Sequence, residues 1–423
     1  MSTIARKVCL VTSANVAANP RLVKEASALK EAGYGVVVVA ADIMPSLAGY
    51  DSEIAKEVAD EFIRVSYRRP RWRRVGRLVK QRAARKVVAA LNRIPPFLAA
   101  TGHHPLTPAL SEATRRHRAD LYIAHNLAAL PAAGAAAQRY NARFGFDAED
   151  YHCGELAMTE MNAPELRIRK SIESYWLPKA AHLTAASPGI SDAYRRDYHV
   201  QMQPILNVFP LSRAPKQPGV PRSWRGEMPS LYWFSQTIGE NRGLEEIVAA
   251  LACMKTKAEL VLRGNASPGY VNRLLATART VGGDELVKRI KILPVAAPDA
   301  IARLSAEHDI GLSVETSTTG NRDICLTNKI FIYLLAGIPV LLSRTAAHTE
   351  LASQLGSAAI LVDLQSAQNT AAALDNFLAS RDMQIRAREK AWRLSRERFN
   401  WDIEQKKLLV AVEKALATAP VSA

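Results

Sequence analysis

Residues 7–42, KVCLVTSANVAANPRLVKEASALKEAGYGVVVVAAD, decide the fold class of this chain. The stretch begins with a short β-rich run, KVCLVTS, and ends with a fully apolar run, GVVVVAAD. Between them, apolar side chains recur at helical spacing from Pro20 to Ala32, and Gly33 predicts the end of that helix. A strand, a helix and a continuous apolar strand in this order are typical of a parallel sheet that helices cover on both faces.

The same alternation runs through two successive parts of the chain, which at 423 residues is too long for one ordinary core. The first part continues through DLYIAH and FGFDAED, and the second starts at LYWF and continues through AELVLRG and IGLSV. A proline-rich stretch with little periodicity, residues 207–226, predicts the linker between them. We therefore expect an α/β chain of two doubly wound units, with ligands bound beyond the carboxyl ends of the strands, in the cleft between the units.

The composition is that of a globular protein, with 48% hydrophobic and 23% charged residues. Four cysteines lie far apart and form no Cys-x-x-Cys pair, which argues against a zinc ribbon and against a disulfide framework. The amino terminus lacks the long apolar stretch of a signal peptide, and the apolar run at residues 330–343 is too short to cross a bilayer. These features predict a cytoplasmic protein without a membrane-spanning segment.

Four basic residues stand at predicted strand-to-helix junctions. They are Arg21, Arg242, Arg263 and Lys329. A helix N-terminus offers free backbone amides and the positive end of the helix dipole, so a cation beside it favours a phosphate. A polar helix start explains each junction taken singly, but all such junctions in a doubly wound sheet face the same edge. We therefore predict that the four residues bind the phosphates of a ligand.

Neighbouring residues add support to the junctions at Arg242 and Lys329. Gly239 allows a tight turn before Arg242, and Gly243 follows it at the start of a helix, so backbone amides and a guanidinium would meet a phosphate together. Thr327 is the expected N-cap of the helix that carries Lys329. We predict a phosphate-binding role for Lys329; the alternative is a plain polar start to a buried helix.

His125 ends the predicted strand 120–125, so its ring is expected at the ligand-binding edge of the first sheet, although a lone histidine is often structural. Metal chemistry finds little support in the sequence. There is no Asp-x-Asp, no His-Glu-x-x-His and no cysteine-histidine cluster with ligand spacing. We expect no metal and no bound cofactor, and a diphosphate neutralised by side chains and helix ends.

In order and spacing, several stretches resemble the bacterial glycosyltransferases of family 4. They are PRLVKEASALKEAGYGVVVVA, DLYIAHNLAALPAA, LYWFSQTIGENRGLEEIVAAL, IARLSAEHDIGLSV and NKIFIYLLAGIPV. The resemblance implies the GT-B fold of two facing Rossmann-like domains and a retaining mechanism. It places the acceptor domain at residues 1–207, with a basic insertion at 64–93, and the nucleotide-sugar domain at 208–395. It also implies that a last helix, within 396–423, packs back on the first domain.

Carried over residue by residue, the resemblance assigns His125 to contact with the donor sugar and Arg242 to the diphosphate. Thr237 stands where the family usually has an arginine. The family's paired glutamates fall on Ile324 and Ile332, and isoleucine cannot bind the ribose hydroxyls that the second of them holds. In some members an Asn-Lys or Ser-Lys pair starts this helix. The residues that could supply the lost polar contacts are Glu315, Asn321, Asn328 and Lys329.

Two functions follow from these residues. The first is sugar transfer, as a hexosyltransferase, from a nucleotide-diphospho-sugar to a polysaccharide or lipid-linked acceptor, with retention and without metal. The second is a GT-B scaffold or nucleotide-binding protein that has lost catalysis, which Thr237 and Ile332 would permit. The donor sugar, its base, the acceptor and the oligomeric state are left open by the sequence.

The positive charge of the chain is concentrated in one segment. Lys and Arg outnumber Asp and Glu by 56 to 40, and twelve of the basic residues lie between Arg64 and Arg93, which encloses no acidic residue. Apolar residues from 75 to 91 recur there at helical spacing, with basic residues over much of the remaining surface. A basic amphipathic helix with a tryptophan at its edge suits an anionic membrane surface at the inner face of the membrane, whereas nucleic acid would call for more interleaved aromatics. The predicted membrane-binding residues are Trp72, Arg73, Arg74, Arg77 and Lys80; an ordinary solvated helix is the alternative.

Overall fold

The computed structural model describes residues 6–68 and 70–420. Contacts within the chain divide it into two compact units. The first comprises the residues up to Ile205, residues 319–321 and the residues from Gln405 onward, and the second comprises residues 206–318 and 322–404.

The first unit is built on a seven-stranded sheet whose apolar strands the sequence already marks. Its strands are β1 (Lys7–Thr12), β2 (Gly35–Asp42), β3 (Glu61–Ser66), β4 (Leu121–His125), β5 (Arg143–Ala148), β6 (His182–Ala185) and β7 (Gln203–Pro204). They follow one another in the sheet as β3-β2-β1-β4-β5-β6-β7, and all neighbours pair in parallel. The central strand β4 is buried along its whole length, as expected for a parallel sheet with helices on both faces.

Eight helices accompany this sheet. They are α1 (Pro20–Glu31), α2 (Ala48–Val58), α3 (Arg71–Ala90), α4 (Pro96–His103), α5 (Thr107–Thr114), α6 (Leu130–Tyr140), α7 (Ala163–Trp176) and α8 (Pro188–Tyr198). The bounds of α1 follow from its sequence. The Asn19 side chain accepts a hydrogen bond from the amide of Leu22 at 3.0 Å, and Gly33 adopts φ +86° just after the helix.

The second unit repeats the arrangement with six strands. They are β8 (Ser230–Ile238), β9 (Glu259–Ala266), β10 (Ile290–Leu293), β11 (Ile310–Ser313), β12 (Val340–Ser343) and β13 (Ala359–Val362). Their order is β10-β9-β8-β11-β12-β13, and every pairing is again parallel. The remaining helices of the described residues are α9 (Leu244–Cys253), α10 (Pro268–Lys288), α11 (Ile301–Ser305), α12 (Gly320–Ile324), α13 (Asn328–Ala336), α14 (Ala346–Leu355), α15 (Ala367–Ala379), α16 (Arg381–Glu397) and α17 (Trp401–Ala417). Of these, α17 belongs to the first unit from Gln405 onward, and α12 begins in the first unit.

The apolar stretch TNKIFIYLLAGIPVLLS folds as helix α13 followed by strand β12. Every residue of α13 after Asn328 is buried. The helix ends at Gly337, which adopts φ +72°, and a Cβ atom there would lie 2.9 Å from the Trp392 ring. Only glycine combines this backbone conformation with such a close neighbour, so the end of α13 is fixed by sequence.

In both sheets the strand order reverses at the same place, between β1 and β4 in the first and between β8 and β11 in the second. Loops that leave the carboxyl ends of these strand pairs diverge to opposite faces of the sheet, and a ligand-binding crevice opens at this switch point. The prediction of two doubly wound units is therefore confirmed, and each unit has one position where its topology favours a site.

Two further features bear on chemistry. All four cysteines are free thiols, two of them buried in the first unit. Among the described helices, none is both long enough and apolar enough to cross a lipid bilayer.

Candidate functional site

At the switch point of the second sheet, three cations surround one buried carboxylate. Glu315 lies just beyond the end of β11 and is 4% exposed. Its carboxylate oxygens are 3.7 Å from Nη1 of Arg242, 3.6 Å from Nη1 of Arg322 and 3.5 Å from Nζ of Lys329. We call these four residues the Glu315 cluster. Three cations and one carboxylate give the cluster an excess of two positive charges, which favours an anionic ligand.

Lys329 is the most buried cation of the Glu315 cluster. It is 9% exposed, and its Nζ atom lies 5.4 Å from the centre of the Trp233 ring. Burial lowers the pKa of the Lys329 ammonium; Glu315 opposes this shift and Arg242 adds to it. A buried ammonium whose charge is only partly balanced gains more from a bound phosphate than an exposed lysine does.

Local backbone geometry brings Arg242 and Arg322 to the cluster. Gly243 follows Arg242 as the N-cap of α9 with φ +69°, and a Cβ atom there would lie 3.1 Å from Val314. Glycine therefore lets the β8–α9 loop approach the end of β11. Arg322, on α12, also donates a hydrogen bond from Nη1 to the carbonyl of Asn241, in the same loop. Sequence analysis missed Arg322 because it lies in a polar stretch without a recognisable junction.

The N-terminus of α13 stands beside the cluster without a side-chain cap. Thr327 occupies the N-cap position, but its hydroxyl lies 2.8 Å from the Ser313 hydroxyl and accepts no bond from the helix. The prediction that Thr327 caps α13 is therefore wrong, because Ser313 at the end of β11 engages it. Asn328 is exposed at the first helical position. The Ile330 amide in the first turn of α13 donates to the Thr327 carbonyl at 3.2 Å. The positive end of the helix dipole stands next to Lys329, where it favours an anion.

Two predicted phosphate ligands of the second unit lie outside the Glu315 cluster. Arg263 donates from Nε to the Tyr232 hydroxyl at 2.9 Å and from Nη1 to the Pro294 carbonyl at 3.0 Å, so its guanidinium braces neighbouring strands. Gly239 lies after β8 with open space where a Cβ would stand. Ile332 packs in an apolar cluster and offers no polar contact.

Arg21 differs from its prediction. Its guanidinium donates to both carboxylate oxygens of Asp147, at 2.5 and 2.7 Å, and to the Ile205 carbonyl at 2.7 Å. Burial alone would raise the pKa of Asp147, but Arg21 lowers it well below its usual range. Because Arg21 is almost fully buried and its donors face these oxygens, it holds β5 rather than a phosphate, and the phosphate assignment is corrected.

His125 also differs from its prediction. It ends β4 at the carboxyl edge of the sheet, but its ring is 0% exposed and contacts buried carboxylates. Its Nε2 lies 2.9 Å from a carboxylate oxygen of Glu25, and its Nδ1 lies 3.4 Å from Asp147. Neither contact has the angles of a hydrogen bond, so we describe a close ion pair. Burial lowers the pKa of His125, but Glu25 and Asp147 more than reverse this, and the net shift is upward.

The side chains around His125 are of the types that bind metal ions. Glu25, His125 and Asp147 each offer one ligand atom, and the three atoms lie within 4.8 Å of one another. However, Arg21 donates to both oxygens of Asp147, and the Thr184 hydroxyl donates to one of them at 2.5 Å. A divalent cation would meet this guanidinium at close range, so the donor set fits a buried ion-pair network better than a metal centre.

Asn126, which follows His125, is the polar residue that stands at the switch point of the first sheet. It adopts φ +84°, a conformation that asparagine tolerates better than most residues. Its Oδ1 accepts a hydrogen bond from the Ser13 hydroxyl at 2.8 Å, and its Nδ2 donates to the Thr12 hydroxyl at 3.0 Å. Backbone in a disfavoured region that side chains hold in place is frequent at binding sites, so Asn126 is a better binding-site candidate at this switch point than His125.

Asn321, a predicted ribose or sugar contact, belongs to the first unit. Its Oδ1 accepts from the amide of Tyr151 at 2.8 Å, and its Nδ2 donates to Asp150 at 2.7 Å. Both ends of the amide are therefore engaged within that unit. The other predicted contact, Glu315, forms the centre of the cation cluster described above.

The basic segment forms α3, which has an unusual distribution of side chains. Among the exposed side chains of α3, five apolar ones recur every three or four positions; they are Trp72, Val75, Val79, Ala83 and Val87. At about 100° per residue they share one side of the helix, opposite the buried Ala84 and Val88. We call these five residues the outer face of α3. Basic residues border this face and also interrupt it. At the same angle per residue, Arg82 lies beside Val75, Lys80 and Arg73 lie beyond Val87, and Lys86 lies between Val75 and Val79.

Two predicted membrane residues turn away from this face. Arg77 donates from Nη1 to the Ser66 carbonyl at 2.7 Å, and the Arg74 guanidinium lies 5.3 Å from the centre of the Tyr67 ring. The assignment of Arg77 is therefore corrected, because its guanidinium anchors α3 to the body of the unit. Trp72 remains 70% exposed.

No protein-family model matches this chain, and no curated protein matches its sequence. Solved structures do match it. A glycosyltransferase from Rickettsia africae has 15% sequence identity and a TM-score of 0.70, with 98% of this chain and 100% of that chain covered. HepE from Anabaena in complex with UDP-glucose has 16% identity and a TM-score of 0.70, with 96% and 99% covered.

Sucrose-phosphate synthase from Thermosynechococcus elongatus has 16% identity and a TM-score of 0.68, with 97% of this chain and 99% of that chain covered. The chain has the GT-B fold. Identities this low show the fold alone, and it is the GT-B fold that the sequence predicted. In the second GT-B unit, the Glu315 cluster stands at the switch point that this topology creates.

Proposed function

We propose that this chain is a retaining glycosyltransferase that moves a sugar from a nucleotide-diphospho-sugar to a polysaccharide or lipid-linked acceptor. The Glu315 cluster carries the proposal. Its excess of two positive charges, beside the amides at the start of α13, suits the diphosphate of such a donor. The fold shared with HepE, whose structures contain UDP and UDP-glucose, supports a nucleotide ligand, and the Glu315 cluster is our reason for placing it in the second unit.

In the proposed reaction the bond between the anomeric carbon and the diphosphate oxygen breaks, and negative charge develops on that oxygen. Arg242, Arg322 and Lys329 stabilise this charge, and such preorganised stabilisation is usually the largest contribution to the rate. The acceptor hydroxyl attacks the same face of the sugar and gives its proton to the departing diphosphate. The new bond therefore has the configuration of the old one, and no protein nucleophile is required.

Side-chain cations supply the charge that a divalent metal could otherwise provide, so we propose metal-independent transfer with no cofactor other than the donor co-substrate. Glu315 is a positioning residue in this scheme, because it holds the three cations together before the donor binds. The first unit would bind the acceptor, with Asn126 and Ser13 as the polar groups at its switch point.

The experiment is to incubate the full chain with a panel of nucleotide sugars and acceptor extracts and to measure released nucleoside diphosphate. A double variant, Arg242→Gln with Lys329→Gln, should lose turnover, while Arg279→Gln, which breaks an exposed ion pair with Asp284 within α10, should keep it. Turnover that EDTA leaves unchanged would support the metal-independent mechanism. Turnover equal in the double variant and the parent would refute the role of the cluster.

The alternative function is a GT-B scaffold that binds nucleotides without catalysis. Thr237 and Ile332 favour it, because one lies exposed on β8 and the other packs among apolar side chains, so neither replaces the expected arginine or carboxylate. Saturable nucleotide binding without turnover of any donor would establish this alternative.

We further propose that the protein attaches to the inner face of an anionic membrane through the outer face of α3. An exposed apolar stripe flanked by cations allows the apolar side chains to enter the boundary of the bilayer while basic groups contact the headgroups. A lipid-linked acceptor would be presented at this surface.

A further inference from the structure

A cavity at the C-terminal end of α3 is lined by three cations and by no acidic residue. It has a volume of about 510 Å³, within the range of ligand sites, and lies between residues 92–96 and the outer side of α7. Three basic residues and two serines line it, and no acidic residue does; the five are Arg93, Arg167, Lys170, Ser171 and Ser174. We call this cavity the headgroup pocket.

The cations of the headgroup pocket differ from other basic residues of α7. Arg169 points elsewhere and forms ion pairs with Glu155 and Glu165. Within residues 6–68 and 70–420, Arg93, Arg167 and Lys170 form no ion pair with a carboxylate. A folded protein with 40 acidic residues usually mixes signs on its surface, so three cations that share a concave site without an acid are matched to an anion.

The pocket is also ordered by its neighbours. Arg167 donates from Nη2 to the carbonyl of Leu91 at 2.5 Å, which places its guanidinium where α3 ends. The Ser171 hydroxyl donates to the carbonyl of Ile94 at 3.2 Å and fixes the segment that follows. The pocket therefore lies next to the last turn of α3, which carries Val87 of the outer face.

A second groove adjoins the headgroup pocket and shares two of its residues, Pro96 and Tyr175. Its exposed surface is mainly apolar, although Arg115, Gln138 and three serine or threonine side chains also line it, and we call it the apolar groove. The groove has a volume of about 460 Å³, and Phe97 at its edge is 69% exposed. Trp176 and Pro131 contribute further apolar surface to it. A cationic pocket that continues into an apolar groove is complementary to a molecule with a phosphate head and a hydrocarbon chain.

We propose that the headgroup pocket and the apolar groove together bind the phosphate and the first part of the chain of a lipid phosphate. This site is distinct from the Glu315 cluster, which belongs to the second unit. This site also differs from the outer face of α3. The outer face is attracted to any anionic membrane surface, whereas the pocket would bind the headgroup of one lipid molecule. A phosphomonoester, which can carry two negative charges, fits three cations better than a phosphodiester does.

The test uses the full chain and short-chain dihexanoyl phosphatidic acid below its micelle concentration, with affinity measured by calorimetry. We expect saturable binding at one site, and we expect the triple variant Arg93→Gln, Arg167→Gln, Lys170→Gln to bind at least tenfold more weakly. A control variant loses the same charge from α10 of the second unit through Arg273→Gln, Arg279→Gln and Lys288→Gln; its affinity should equal that of the parent.

Two further measurements separate the sources of the anion. Glycerol 3-phosphate, which has the head without the chain, should bind at least tenfold more weakly than the lipid; equal affinity would overturn the lipid assignment. Unchanged lipid affinity in the triple variant would overturn the site. Nucleoside diphosphate affinity should be the same in the triple variant and the parent. If the triple variant loses it, the variant is misfolded. The lipid affinity of the single variant Lys170→Gln is then compared with that of the parent, and equal affinity would overturn the site.

Discussion

The ammonium of Lys329 lies 3.5 Å from the carboxylate of Glu315, and both side chains are buried at the carboxyl edge of the second sheet. Fourteen residues separate them in sequence. With Arg242 and Arg322 near the same carboxylate, Lys329 belongs to a cluster that is short of negative charge until an anion binds. This relationship makes Lys329 the most direct test of the proposed donor site.

Replacement of Lys329 by alanine should weaken binding of nucleoside diphosphate by roughly 10- to 150-fold, which corresponds to the ~1.5–3 kcal/mol of a charge-assisted hydrogen bond. Calorimetric titration of the parent and the variant measures the change. Lys288→Ala, an exposed lysine on α10, is the control and should bind as the parent does. Equal affinity in Lys329→Ala and the parent would remove the phosphate role.

The pH dependence of nucleotide binding should reveal the same lysine. Burial lowers the pKa of Lys329 from 10.5, so its ammonium loses its proton at a pH where an exposed lysine is still charged. Nucleotide affinity should therefore fall as the pH rises towards 10.5. Lys329→Arg, whose guanidinium stays protonated, should bind without this alkaline decline.

Stability should change in the opposite direction over that window. Between the lowered pKa of folded Lys329 and 10.5, the unfolded chain binds the proton more tightly, so the free energy of unfolding rises with pH. Urea titrations of the parent and Lys329→Met at several pH values measure both free energies of unfolding, and the value for the parent should rise relative to that of the variant over this window. A constant difference would contradict the lowered pKa.

His125→Ala should destabilise the first unit, since it removes one partner of a buried ion pair. The expected loss is ~3–5 kcal/mol. Lys7→Ala, which breaks the exposed pair with Glu61, should cost at most ~1 kcal/mol. Because the folded-state pKa of His125 is raised above 6.5, its contribution is complete below 6.5 and disappears as the pH rises through the raised value. The difference between the parent and His125→Ala in the free energy of unfolding, measured in urea, should therefore become smaller as the pH rises.

The same variant separates the structural role of His125 from the predicted contact with the donor sugar. If His125→Ala keeps the stability of the parent but loses turnover much more than nucleotide affinity, the sugar contact is right and the buried-pair role is wrong. Turnover is to be compared at a temperature where both proteins are folded.

The fold could be predicted from sequence because it depends on local patterns. Continuous apolar strands such as β2 and β4 have one stable environment, a parallel sheet covered on both faces, and Gly33 and Gly337 end helices by backbone conformation alone. The position of Lys329 at the start of a helix followed from the same kind of local signal.

The misassigned residues depend on partners that are distant in sequence. Arg21 meets Asp147 across 126 positions, so nothing near Arg21 indicates that its guanidinium is engaged. His125 stands at the end of β4 as predicted, but the burial of its ring depends on Glu25 from α1. Arg322 was missed for another reason: it is close to Glu315 in sequence, but it lies in a polar stretch without a recognisable strand-to-helix junction.

The last prediction concerns the outer face of α3. Val79 is 58% exposed in the middle of this face, and an aspartate there would bring charge to the boundary of the bilayer. Val79→Asp should abolish co-sedimentation with anionic vesicles without loss of folding. Replacement of Lys80, Arg82 and Lys86 with glutamine should weaken it in low salt, at ~1 kcal/mol for each basic group near the surface.

Arg77 provides the matched control, because its guanidinium is bonded to the Ser66 carbonyl rather than to solvent. Arg77→Gln should lower thermal stability and leave vesicle binding nearly unchanged, although it removes the same charge as Lys80→Gln. High salt should release the parent protein, and neutral vesicles should retain little of it, because the attraction of basic groups to anionic lipid is screened within a Debye length. Equal binding to neutral and anionic vesicles, or equal losses for Arg77→Gln and Lys80→Gln, would show that α3 does not contact the membrane through this face.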